Sequence, residues 1–379
     1  MTERPLAPVQ AWLSGPMGHD VSEAIDRLRH APDIQRVAVM PDVHLAADVC
    51  IGLVAGTSGL IYPQAVGGDI GCGMLAVAFD ADAAVLGDPG TAGRLLAAIG
   101  RAVPARRRNR LAAISEPASV ASVPLSHARL ERIRRDDGRL EFATLGGGNH
   151  FIEVQADQDG RLWLMVHSGS RAIGHAIRDH HLARAQPVGR GYRVLDASTD
   201  DGAAYLHDMS WARRFADASR RAMAAEVDAA AAAFVNARLC WDTAITTDHN
   251  HVSLERHGGR DLWVHRKGAM RAGGGEAGVL PGSMGSPSYH VEGRGNEAAL
   301  CSSAHGAGRA LSRTAARALV TASDLRRQMA GVWYDYRRTE KLLDEAPSAY
   351  KDIRAVLRAQ KELVRVIRTL RPVLNYKGA

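Results

Sequence analysis

The chain has 379 residues, 46% of them hydrophobic, with 48 Lys and Arg against 41 Asp and Glu and a formal charge of +7. That is enough apolar residue for a substantial core. No run of about 18 apolar residues suited to crossing a bilayer occurs, and no cationic leader runs into an apolar stretch, so a cytoplasmic protein without a membrane partner is expected.

The charge is uneven: residues 301–379 hold 16 Lys and Arg against 7 Asp and Glu. With the cluster Arg106, Arg107, Arg108 and Arg110, this suits a polyanion such as nucleic acid, and equally a set of solvated helix faces. Cys50, Cys72, Cys240 and Cys301 form no C-x-x-C pair, so neither a disulfide framework nor a zinc ribbon is indicated.

In chain order, "DVSEAIDRLRHA" predicts a helix capped by Asp20, and "RVAVM", ending at Pro41, predicts a buried strand. Residues 50–81 alternate short apolar runs with glycine, as sheet and turns do. Residues 82–102 read as helix, and "RLEFATL" and "RLWLMVHSGS" as strands entering Gly/Ser turns. Residues 201–240 are Ala-rich and helical. Beyond His305 helix is expected again, through "SAYKDIRAVLRAQKELVRVIRTL", before a short tail. With no linker and no internal repeat, the reading is one α+β (mixed α/β) domain over residues 1–379, its basic C-terminal helical part from about 305 packed on the same body.

Histidine recurs beside Gly, Ser or Asn in "GGGNHFIE", "MVHSGSR", "TDHNHVSLE" and "SSAHGAGR". One such histidine is more often structural than a ligand; four of them, with Asp69 and Cys72 in "GGDIGCGM", supply imidazole, thiolate and carboxylate, a set suited to a borderline divalent metal. An inert, buried Cys72 is the plain alternative. "GCGMLA" and "GRGNEA" match G-x-G-x-x-A without a following βαβ pattern, and neither a P-loop nor K-x-D-G occurs. A nucleotide held covalently therefore points to histidine as acceptor. His305 suits it: Ala304, Gly306 and Gly308 leave room for a phosphoryl group, and Arg309 and Arg313 follow at helical spacing.

In order, "MPDVH", "VGGDIGCGM", "TLGGGNHFIEV", "VHSGSR", "HRKGA", "PGSMGSPSY" and "HGAGRALSR" resemble the motifs of the RtcB family of RNA ligases, from about Met40 to the terminal "YKG". The resemblance implies an RtcB-like fold, with central β-sheets around a dinuclear metal cleft and flanking helices. It implies GTP and two Mn²⁺ ions as cofactors. It implies joining of RNA 3′-phosphate or 2′,3′-cyclic phosphate ends to 5′-hydroxyl ends through a histidine-GMP intermediate, in RNA repair or tRNA splicing.

Carried over motif by motif, the resemblance makes His305 the guanylylated residue. Cys72 would bridge the metals, with His167 and His249 completing one site and Asp69 and His150 the other. Asn149, His150, Phe151, Ile152, Glu153, His249, Asn250, Pro281, Gly282, Ser283, Met284, Ser288, Gly306, Ala307, Gly308 and Lys377 would surround the guanylate. Arg171, Arg309 and Arg313 would meet RNA. A monomer is expected, and an accessory activating factor is compatible with the resemblance. The loop "LAADVCIG", "GHAI" at 174–177 and "HRKGAMRAGGG" depart from the family pattern, which points to altered preference for RNA ends. Two other readings remain open here: a cyclic phosphodiesterase that no longer seals, and a non-catalytic RNA-binding protein.

Overall fold

The computed structural model describes residues 6–378. Two sheets carry it. The larger has seven strands in the order Leu239–Asp248, Gly73–Asp82, Arg161–Ser168, Phe151–Asp157, Val364–Lys377, Ser288–Gly293 and Ala277–Leu280, every pair antiparallel. Its two edge strands meet, so the sheet curls toward a barrel. The second sheet orders Val9–Ala11, Ile34–His44, Ile51–Thr57, Arg260–Lys267 and Asn250–His257. Only His249 separates the end of one sheet's strand at Asp248 from the start of the other's at Asn250.

Period-two alternation decides what each strand of the large sheet shows to each face. Leu75, Val77, Ile152, Val154, Leu164 and Val166 point outward into the main core, against the helices Pro89–Ala102, Arg171–Arg184 and Asp200–Val235. Met74, Ala76, Phe151, Trp163 and Met165 point to the concave side. The mixed α and β class read from the sequence holds, and the four cysteines are free.

Several local expectations do not hold. Asp20 lies inside the first helix, His19–Arg29, whose N-cap is Gly18. The strand Ile34–His44 runs past Pro41, but its register with Ile51–Thr57 breaks between Val39 and His44, as a proline without an N–H requires. "RLEFATL" is no strand: Arg139–Glu141 closes a helical stretch, and Phe142 turns its ring edge-on to Phe215, centroids 5.4 Å apart. Past His305 only short helices form, Arg313–Leu319, Ala322–Gln328 and Ile353–Ala359, so Arg309 and Arg313 do not share a helix face.

The largest difference is Val364–Lys377. Expected as helix and tail, it is a 14-residue strand in the interior of the large sheet, paired on both sides. Val364, Val366, Ile367 and Val373 are β-branched, and the three- and four-residue apolar spacing that suggested a helix yields to that tertiary pairing.

Candidate active site and metal centre

The turn 69–72, between the short helical turn Pro63–Ala65 and the strand Gly73–Asp82, brings Asp69 and Cys72 to one end of the large sheet. Two strand ends meet it there: His150 precedes Phe151–Asp157, and His167 lies near the close of Arg161–Ser168. Cys72 Sγ is 3.2 Å from His167 Nε2 and 3.5 Å from His150 Nε2. His150 Nε2 is 2.9 Å from Asp69 Oδ2. Ligand atoms of Cys72, His167 and His249 lie within 4.8 Å of one another, as do those of Asp69, Cys72 and His150. The two groups share Cys72.

The rings are aimed by the backbone. His150 Nδ1 meets the Leu145 carbonyl at 3.0 Å and His167 Nδ1 the Asn149 carbonyl at 3.1 Å, so each turns Nε2 toward the thiol. His249 is held through its main chain, its N–H donating to Cys72 O at 2.9 Å and its carbonyl accepting from Ala269 at 3.2 Å. Arg220, buried in the long helix, donates to the carbonyls of Gly71 and Ser168 at 2.8 and 2.9 Å. A side chain at Gly169 would enter the Asp69 carboxylate, its Cβ 2.2 Å from Oδ1.

Electrostatics and donor chemistry both fit a divalent cation. Burial and neighbouring imidazoles hold His167 and His249 well below the ordinary histidine range, so both stand as the neutral form that binds metal. Burial alone would raise the Asp69 carboxyl, but His150 and Arg171 outweigh it and keep it ionised. Burial, with the Asp69 carboxylate, pushes the Cys72 thiol well up, the condition a cation at the sulfur reverses. Asp69 Oδ1 is buried with no hydrogen-bond partner, which leaves a free acceptor at the cluster. Imidazole, thiolate and carboxylate together favour Mn²⁺-, Fe²⁺- or Zn²⁺-like ions over magnesium.

Beside the cluster opens a cavity of about 560 Å³. His305 lines it, its ring centroid 4.6 Å from that of His249. Asp42, fully buried, accepts from the His305 backbone N–H at 3.1 Å and comes within 2.7 Å of Nδ1, off the line of a hydrogen bond. The break in pairing around Pro41 sets Asp42 here. Gly308, at φ +71°, lets the chain after His305 pass over it; a Cβ there would lie 2.4 Å from the Asp42 carbonyl.

The cavity gathers most of the residues expected around a guanylate. Asn149, Phe151, Glu153, Pro281, Gly282, Ser283, Met284, Ser288, Gly306, Ala307, Gly308 and Lys377 line it with His305, as do His167, expected at a metal, and Arg309 and Arg313, expected at RNA. Ile152 does not, because alternation turns it into the main core. Asn250 does not either: its side chain donates to the Asp69 carbonyl and accepts from Gly268 N–H, both at 2.9 Å, clamping the metal-side turn. Asp69, Cys72, His150 and His249 stand behind the cavity wall. Arg171, at φ 62°, starts the helix Arg171–Arg184 with its guanidinium 3.4 Å from His150 Nδ1.

The far wall is an ionic network. Lys377 pairs with buried Glu345, Arg313 reaches Asp344 and Glu345 at 2.6 Å, and Arg309 lies over the Tyr350 ring, 5.2 Å from its centroid. Burial opposes ionisation of Glu345, but Lys377 and Arg313 hold its carboxyl low. Arg309, 3.4 Å from Glu345, and Arg313 thus engage carboxylates of their own chain. Glu153 is different: burial raises its carboxyl to about 8, against hydrogen bonds from Asn375 and Gln155.

Asp42, Asn375, Asp344, Glu345 and Tyr350 were not singled out from sequence. Asp42 had a signal, standing inside "MPDVH"; "LLDE" gave none.

A family model described as tRNA-splicing ligase RtcB matches residues 24–128 and 118–378. The chain is 37% identical to the RNA-splicing ligase RtcB of Escherichia coli K12 and 38% identical to RNA-splicing ligase RtcB1 of a second E. coli strain, each alignment covering 98% of both proteins. It is 32% identical to the RNA-splicing ligase RtcB of Mycobacterium tuberculosis over 92% of this chain and 98% of that one. Matched along nearly all its length, and carrying the family's ordered motifs around one thiol, histidine and carboxylate cluster, the chain belongs to the RtcB family.

Proposed function

We propose that the chain is a GTP- and Mn²⁺-dependent RNA ligase that joins 3′-phosphate or 2′,3′-cyclic phosphate ends to 5′-hydroxyl ends through guanylylated His305. The observation that carries this reading is the tilted contact of the His305 ring with that of His249, centroids 4.6 Å apart, which sets His305 between the metal-type cluster and a nucleotide-sized cavity. A structural histidine needs no such neighbourhood, and a plain RNA-binding protein has no use for the cluster.

With the Asp42 carboxylate 2.7 Å from Nδ1, Nε2 is the nitrogen this reading assigns to attack. Nε2 attacks the α-phosphorus of GTP; the P–N bond forms as the bond to the β-phosphate oxygen breaks, and pyrophosphate leaves. An oxygen of the RNA 3′-phosphate then attacks the same phosphorus, the P–N bond breaks, and the RNA end carries GMP through a pyrophosphate link. The 5′-hydroxyl attacks the RNA phosphorus, loses its proton to solvent, and expels GMP. A cyclic end must first be opened by water.

Ions held by Cys72, His167 and His249, and by Asp69, Cys72 and His150, would neutralise phosphate charge and hold the leaving groups in line. The chain itself supplies the pocket. Phe151 and Met284 give apolar surface, Ser283 and Ser288 hydroxyls, and Lys377 a cation. In the family's names, the E. coli relatives are RNA-splicing ligases and the Methanopyrus kandleri relative, 30% identical over 64% of this chain, a tRNA-splicing ligase; splicing or repair of RNA is the corresponding role here.

The test is sealing. Purified protein with GTP and Mn²⁺ is expected to join an RNA 2′,3′-cyclic phosphate end to a 5′-hydroxyl end, and to stop when GTP is omitted. Opening of the cyclic phosphate without joining would replace this reading with a phosphodiesterase.

A further inference from the structure

On the outer face of the C-terminal strand lies a second concavity, of about 690 Å³, lined by Arg106, Arg317, Arg338 and Lys341 over the ring of Tyr376. No carboxylate lines it. Arg106, Arg338 and Lys341 form no ion pair among the described residues, unlike Arg309, Arg313 and Arg107. Like charges around one hollow repel, so this arrangement is stabilised by an anion from outside.

We propose that this basin binds backbone phosphates of the RNA strand that reaches the active-site cavity; the proposal rests on the RNA-ligase reading. Two links join basin to cavity. Asp344 holds Arg313, a cavity residue, through one carboxylate oxygen at 2.6 Å and Arg317, a basin residue, through the other at 2.7 Å. Arg313 and Arg317 stand one turn apart on one short helix, Arg313 at its start and Arg317 in its last turn. Likewise Tyr376 faces the basin while its neighbour Lys377 faces the cavity, on opposite sides of one strand. A strand leaving the cavity over this ridge meets the cations next.

The half-buried Tyr376 ring adds an aromatic floor. Gly100 makes room for it, since a Cβ there would already lie 3.3 Å from the ring. Cations around an aromatic surface are the general pattern for single-stranded nucleic acid, with recognition of backbone rather than sequence.

The experiment compares wild type with a triple variant, Arg106→Ala, Arg338→Ala and Lys341→Ala, and with a control of equal charge loss at the far sheet ends, Arg256→Ala, Arg260→Ala and Arg294→Ala. Fluorescence anisotropy measures binding of single-stranded RNA ending in a 3′-phosphate over a range of salt, and labelled GTP measures guanylate uptake. The basin variant should bind RNA roughly tenfold or more weakly at low salt. Its slope of log affinity against log salt should flatten by about 2, at ~0.7 per lost phosphate contact. Its guanylate uptake should match wild type, and the control should lose less affinity.

Unchanged RNA affinity and slope, or equal loss in the control, overturns the basin while wild-type guanylate uptake leaves the ligase reading standing. Loss of GTP binding in place of RNA binding overturns the RNA assignment in favour of a free nucleotide. A wild type that neither takes up guanylate nor binds RNA removes the reading on which the basin rests.

Discussion

Replacing Asp42 by asparagine tests how His305 is made a nucleophile. The carboxylate sits 2.7 Å from Nδ1 and also accepts the His305 backbone N–H at 3.1 Å, in a fully buried position. As Nε2 bonds to phosphorus the ring becomes positive, and Asp42 faces that charge. Two unit charges 2.7 Å apart interact by roughly 6 kcal/mol at an effective dielectric of about 20. A partial charge and an off-line contact reduce this to about 4–5 kcal/mol, or roughly 10³–10⁴ in rate. The amide is isosteric, but it can donate to Nδ1 and so stabilise the tautomer with its proton on Nε2, as in hydrolase triads that lose their aspartate. The assay is the initial rate of guanylate transfer from GTP to protein, with thermal unfolding measured alongside. Asp42→Asn should melt within a few degrees of wild type and transfer at least about a thousandfold more slowly. A folded variant that transfers within about threefold of wild type would refute the electrostatic argument.

Cys72→Ala should weaken Mn²⁺ binding by more than about 100-fold, because both candidate ligand groups lose their shared donor; equilibrium dialysis with metal analysis checks it, and unchanged affinity would return Cys72 to an inert buried thiol. Glu153 carries the clearest pH dependence: raised by burial from 4.5 to about 8, it keeps a proton in the folded chain that the unfolded chain releases above 4.5. Its contribution is therefore full below pH 4.5 and lost as pH rises to 8, amounting to at most roughly 5 kcal/mol. Denaturant titrations should show Glu153→Gln flattening that decline, and parallel curves for variant and wild type would count against it. Deleting residues 372–378 should unfold the chain and not merely cost GTP affinity. The segment carries buried Val373 and Leu374, about 1.5–3 kcal/mol each, and pairs with Phe151–Asp157. Circular dichroism of a well-folded truncation would contradict this.

Part of the candidate site and the mixed α and β class are legible in the sequence. Cys72, His167, His249 and His305 could be picked out because each stands beside Gly, Ser or Asn, and the structure brings their side chains together. What failed was periodicity near residue 364: charged and apolar residues spaced for a helix lie in an interior strand, since the pairing partners Phe151–Asp157 and Ser288–Gly293 are remote in sequence. Alternation within strands, invisible in a motif, separates Phe151 and Glu153 in the cavity from Ile152 in the core. The basic surplus is legible as a total but not as a surface, because Asp344 and Glu345 engage Arg309, Arg313 and Arg317 while Arg106, Arg338 and Lys341 form no ion pair among the described residues. Asp42 stands within "MPDVH", but its carboxylate meets His305, 263 residues away, only through the folded chain.

The central claim is that His305 carries guanylate, and the most direct measurement is to incubate the protein with GTP labelled at the α-phosphate and Mn²⁺, digest it, and map the modified residue by mass spectrometry. The account predicts an acid-labile GMP adduct on His305, absent from His305→Ala and released when RNA with a 3′-phosphate is added. Stoichiometrically metal-loaded wild-type protein that acquires no label, or label on any other residue, would contradict it.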